Sequence, residues 1–140
     1  MAIEVQNVKM GGVKATTTTA ASENKFDTQG ASYLSIIVVA SAGDGTAFSE
    51  QPTITESDTE GGSYTAITGG AMSGLTSPAT PAADSGVGVI HVDLRGRKRF
   101  IKVDYTAGVA SDVVVLGLLS RQDEVPITAA DSDFASRVVV

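Results

Sequence analysis

Cysteine is missing altogether, so the chain can form neither a disulfide framework nor a thiolate metal site. With His91 as its one histidine, a transition-metal centre would have to be built almost wholly from carboxylates, an unusual donor set. Tryptophan is also absent, and aromatics make up 5% of the residues. No apolar run approaches the roughly 20 residues of a membrane helix, so no membrane partner is expected. The opening stretch MAIEVQNVKMGG places Glu4 early and holds no hydrophobic signal region, which points to synthesis in the cytoplasm.

What is present is β-forming. Apolar residues account for 42% of the 140 and charged residues for 19%, a balance that suits a folded chain. A chain of this length forms one domain and buries roughly two thirds of its unfolded surface. Val, Ile, Ala, Thr and Gly dominate, and β-branched side chains fit pleated, half-buried strands.

Residues 3–8 alternate well enough for a short first strand. Residues 15–30, rich in Thr, Ser and Ala, show no clear period and suggest an extended edge segment or an ordered loop. In YLSIIVVA, residues 33–40, Leu34, Ile36 and Val38 share one face and Tyr33, Ser35, Ile37 and Val39 the other. Both faces are mostly apolar, which predicts a central strand. Asp44-Gly45 marks a turn. Residues 48–56 predict a strand whose Pro52 calls for an edge or a bulge, and residues 56–68 predict a hairpin. Residues 69–85 form a long connection that crosses between sheets or covers an end.

Residues 87–94 and 100–106 form the clearest pair of strands, and residues 113–119 the last, apolar on both faces except at Gly117. Packed sheets explain two-faced strands, and so does burial at a subunit contact. The fold class expected is all-β: a β-sandwich, jelly-roll-like, of about seven to eight short strands. The domain spans residues 1–120, and residues 121–140 form a C-terminal arm ending in Val138, Val139 and Val140.

RGRKR, residues 95–99, gathers four of the ten Lys and Arg residues in a chain of net charge -6. Residues 91–105 carry five cations against Asp93 and Asp104, hence +3, which leaves -9 elsewhere. That acidic surround repels a polyanion, and no aromatics are interleaved with the cations. Gly96 between two alternating runs instead predicts a hairpin tip with solvated charges. Contact with an acidic neighbour ranks second, and nucleic acid last.

His91 and Asp93 share a face, yet no nucleophile accompanies them: GAMSG, residues 70–74, does not satisfy G-x-S-x-G. Glu56, Asp58 and Glu60 hint at calcium, but the EF-hand spacing is missing and a solvated acidic loop is the simpler reading. SAGDG is no phosphate-binding loop. The residues name no catalytic group, metal or cofactor.

TTTTAAS (16–22), FDTQGASYLSIIVVA (26–40), ITESDTEGGSYTAI (54–67), VDLRGRKRFIKV (92–103) and LLSRQDEVP (118–126) together resemble a group of small tailed-bacteriophage virion proteins encoded among head genes. The DLRGRKR segment is the distinctive part, with Phe100 where the group usually has Tyr. The resemblance implies a jelly-roll-like decoration or cement protein on the outer surface of the phage head. It further implies a homo-oligomer, with a trimer favoured, bound to the major capsid protein and lacking enzymatic activity, nucleic acid and cofactors. Arg95, Arg97, Lys98, Arg99, Val138, Val139 and Val140 are the candidate protein-contact residues. The alternative is a tail or head-fibre module that recognises a host-surface ligand; such a reader needs exposed aromatics, and most of the Tyr and Phe residues here fall in predicted strands.

Overall fold

The structure is a computed structural model and describes residues 9–17, 21–41, 47–76 and 86–122. Its strands are β1 (Lys9–Thr17), β2 (Ser22–Asp27), β3 (Ala31–Ser41), β4 (Glu50–Ser57), β5 (Thr65–Ala71), β6 (Val87–Asp93), β7 (Phe100–Thr106) and β8 (Asp112–Gln122). They form two four-stranded sheets, β1-β8-β3-β6 and β2-β7-β4-β5, with every ladder antiparallel. The pairing is nested: first strand with last, second with seventh, third with sixth, fourth with fifth, the pairs falling alternately in the two sheets. A long hairpin rolled up on itself gives this order. It is the jelly roll, as the alternation and turn spacing lead one to expect.

The core is the layer between the sheets. Leu34, Ile36 and Val38 from β3 and Val113, Val115 and Leu119 from β8 meet Phe26, Ile54, Ile101, Val103 and Tyr105 from the facing sheet. Each of these points inward because side chains alternate along a strand, and each full burial is worth about 1.5–3 kcal/mol. The two-faced β3 and β8 are the interior strands of their sheet.

Of the two readings of residues 15–30 the extended edge segment holds: they contain the end of β1 and all of β2, edge strands joined to their sheets through β8 and β7. Other expectations change. Pro52 is buried in β4, which is interior, so the edge reading fails and the bulge holds. The β4–β7 register shifts between Glu50 and Thr53, and there a missing N–H costs no ladder bond. Strands β6 and β7 do not pair with each other. They lie in opposite sheets, so residues 94–99 are a crossing between layers and not a hairpin tip. Strand β5 is in one sheet and β6 in the other, so the long connection joins the two sheets, as expected, but residues 69–71 belong to β5. Strand β8 runs to Gln122, two residues past the expected end of the domain at residue 120. Residues 3–8, Asp44-Gly45 and Val138, Val139 and Val140 lie outside the described residues.

Candidate functional site

The crossing from β6 to β7 begins with buried Leu94, whose N–H donates to Ser32 O at 3.1 Å. The Arg97 N–H closes a turn onto Leu94 O at 3.0 Å, with Gly96 at φ 75°. That left-handed conformation is where glycine is needed. At the far end both the N–H and the hydroxyl of Thr28 donate to Arg99 O, at 2.9 and 2.6 Å. The Lys98 N–H donates to Glu56 Oε2 at 3.2 Å. The backbone of this segment is therefore stitched to β3, to the β2–β3 turn and to β4.

All four cations meet carboxylates of the same chain. Arg95 Nε donates to both oxygens of Asp93, at 3.0 and 3.1 Å. Arg97 Nη1 lies 3.5 Å from Glu56 Oε1, and Lys98 Nζ 3.6 Å from Asp58 Oδ2. Arg99 grips Asp27 with two bonds of 2.9 and 2.7 Å. The hydrogen bonds that Arg95 and Arg99 donate to Asp93 and Asp27 hold their guanidinium groups further into the charged form. Exposed pairs of this kind add little to stability, but they neutralise the cluster in place. A phosphate backbone would have to displace four carboxylates before releasing any counterion. Two of the acids once considered for calcium, Glu56 and Asp58, are thus partners of Arg97 and Lys98, and the Glu60 carbonyl accepts from the Tyr64 hydroxyl at 3.0 Å.

His91 Nδ1 sits 3.0 Å from Ser35 Oγ, and its ring stacks on Tyr33 with centroids 5.9 Å apart. Its neighbour on that face, Asp93, is occupied by Arg95, so the two do not form an acid–base pair. Among the described residues no three His, Asp or Glu side chains gather as metal ligands would.

The outer faces of the two sheets differ in kind. On β2 and β7 Lys25 bonds Glu23 at 3.1 Å, and Lys102 reaches Glu23 at 3.4 Å and Asp104 at 2.8 Å. Both ammonium groups also lie over the Tyr64 ring, 5.9 and 4.9 Å from its centre. The hydrogen bond from Lys25 lowers the Glu23 pKa against a partial desolvation penalty, and Asp104 chiefly raises that of Lys102. Burial pushes the Tyr64 phenol up. This face is polar and satisfied from within.

The outer face formed by β8, β3 and β6 is aliphatic. Its cross-strand rows are Val87–Val39–Val114 and Val89–Ile37–Leu116, followed by His91–Ser35–Leu118 and Asp93–Tyr33–Ser120. Val87, Val89 and Val39 are 55, 50 and 39% exposed. Between Asp93 at one end and Asp112 at the other, no described side chain on β3, β6 or β8 on this face is formally charged. The apolar second faces of β3 and β8 were the signal for this surface, since a strand that only lines a core needs one apolar face. Two hollows, of about 200 and 160 Å³, adjoin β6 where the sandwich opens between β5 and β6.

The structure thus gathers Arg95, Arg97, Lys98 and Arg99 in one clasp at the end of the sandwich and shows a second surface, on β3, β6 and β8, that charge counting did not single out. Comparison with protein-family models, with curated proteins and with solved structures finds no match for this chain.

Proposed function

We propose that this chain is a non-enzymatic structural protein of a tailed-phage head. In this reading it decorates the outer surface of the virion and stabilises the shell by binding across neighbouring subunits of the major capsid protein. The observation that carries the reading is the division of the outer faces: that of β2 and β7 is polar and self-paired, while that of β3, β6 and β8 is aliphatic and uncharged between Asp93 and Asp112. A contiguous apolar patch with a polar surround suits a protein contact. The DLRGRKR resemblance supplies the kind of assembly, with a trimer as its favoured state. The host-ligand alternative draws less support, because Phe26, Phe48 and Tyr105 are buried and Tyr64 is engaged by two lysines.

The test is co-sedimentation of the purified protein with emptied heads of its phage, in low and in high salt. Saturable binding that survives high salt, with heads that resist heat better, is the expected result, because the cations of residues 95–99 are already paired. No binding to intact heads sinks the reading. Binding abolished by salt would transfer the contact from the aliphatic face to Arg95, Arg97, Lys98 and Arg99.

A further inference from the structure

Four strands end a sheet in this fold: β1 and β6 in one, β2 and β5 in the other. An open edge invites another strand, and folded proteins blunt it with charge, proline or a bulge. Strand β2 carries Glu23, Lys25 and Asp27 along its length. The β1 register slips between Met10 and Gly12. Strand β5 pairs irregularly with β4 and holds Gly69 at φ 78°. Strand β6 has none of these devices. Its sequence, VGVIHVD, keeps seven successive pairs with β3 in unbroken register, contains no Lys or Pro, and meets its first formal charge only at Asp93.

The hydrogen-bond parity of β6 can be fixed. Leu94 donates to Ser32, the residue opposite it when the ladder is continued, so even-numbered residues bond to β3. Val87, Val89 and His91 therefore turn their N–H and C=O groups toward the open edge, where no described strand pairs with them. The two hollows lie along the same edge. One is lined by Met72, Leu75 and the Val87–Val89 stretch; the other by Ile54, Ile67 and residues 90–93, with the charged Asp93 and Arg97 at its far end from Val87. On the opposite side of the edge lie the aliphatic rows of Val87 and Val89.

We propose that the edge of β6 accepts an extended, uncharged segment of another protein, added as a further strand with apolar side chains on both faces. Main-chain bonds to Val87, Val89 and His91 hold it; alternate side chains drop into the two hollows or extend the aliphatic face. Charge selects this occupant: the chain carries -6, yet the edge from Val87 to Ile90 carries none, so an uncharged segment gives up least solvation there. A second copy is the poorer fit, because pairing β6 with β6 would set two aliphatic faces side by side in one sheet and leave both exposed. The inference goes beyond the phage-head reading and does not depend on it.

The probe is a labelled, end-blocked and uncharged peptide, Gln-Val-Thr-Val-Ile-Val-Thr-Gln, with a version carrying Pro at its central Ile as control. It is titrated into the full chain by fluorescence anisotropy, and amide hydrogen exchange is followed residue by residue. Saturable binding should slow exchange at Val87, Val89 and His91 by at least about ten-fold, and the Pro control should bind about ten-fold more weakly. Val89→Pro removes only an outward N–H and should abolish binding with the fold kept; Val89→Lys, which leaves the backbone intact, should weaken it too. Three results overturn the proposal: those amides already protected in the dilute free protein, protection that grows with protein concentration alone, or saturating peptide that leaves them unprotected.

Discussion

At the scale of single residues, packing decides more than charge. Gly117 lies in the middle of β8, where every apolar neighbour would tempt a larger residue, yet a β-carbon there would run into the ring of fully buried Phe26. The glycine is the socket for that ring. Gly117→Ala should cost about 1–3 kcal/mol through overpacking, read as a lower urea midpoint with an unchanged slope. If stability is unaffected, the two sheets do not meet as closely as described. By contrast, the guanidinium groups of residues 95–99 are exposed, and Asp93, Glu56 and Asp27 neutralise them in place while adding little stability.

At the scale of elements, pH exposes the charged face of β2 and β7. Glu23 titrates below its ordinary 4.5, so its contribution is present above that value and is lost as pH falls through the lowered one. Lys102 titrates above its ordinary 10.5, so its contribution is complete below that value and is lost as pH rises through the raised one. Urea midpoints should form a plateau between these limits and fall on both sides; Glu23→Gln should flatten the acid limb and Lys102→Met the alkaline one. Limbs unmoved by either substitution would show that other groups govern the titration. Elements were also where the sequence could and could not be read. Alternation in YLSIIVVA and FIKVDYT identified β3 and β7 as strands, because burial imposes a period of two, but with both faces of β3 apolar it left open which one turns inward. It could not say that β6 and β7 part company. Two alternating runs around a glycine look alike whether the chain turns back or crosses to the other layer, and only pairing with distant β3 and β4 decides. The threonine-rich β1 and the charged β2 were legible only as an extended edge segment or a loop, without bounds, because edge strands lack the apolar pattern that marks interior ones. The carboxylate partners of RGRKR were visible as an acidic loop, but their meeting depended on a fold that brings residues 27, 56 and 58 to the same end.

At the scale of the whole molecule, the nested pairing makes folding non-local: β1 finds β8 across nearly the full chain, and β8 supplies the strand between β1 and β3. Loop closure of that length must precede its reward, so refolding should take milliseconds to seconds, as for other domains dominated by distant strand pairs. Stopped-flow refolding in the microsecond range would contradict the topology.

The same pairing sets how the molecule meets a pull. Lys9, at the start of β1, lies opposite Leu119, near the end of β8, so the two ends of the described fold leave from one side of one ladder. Tension between them would open that ladder like a zipper, one hydrogen-bonded pair at a time, instead of shearing all its bonds together. A load carried through the chain ends would therefore peel β1 away at low force, whereas a load borne on the sheet face or at the β6 edge would reach the core without passing through that weak seam.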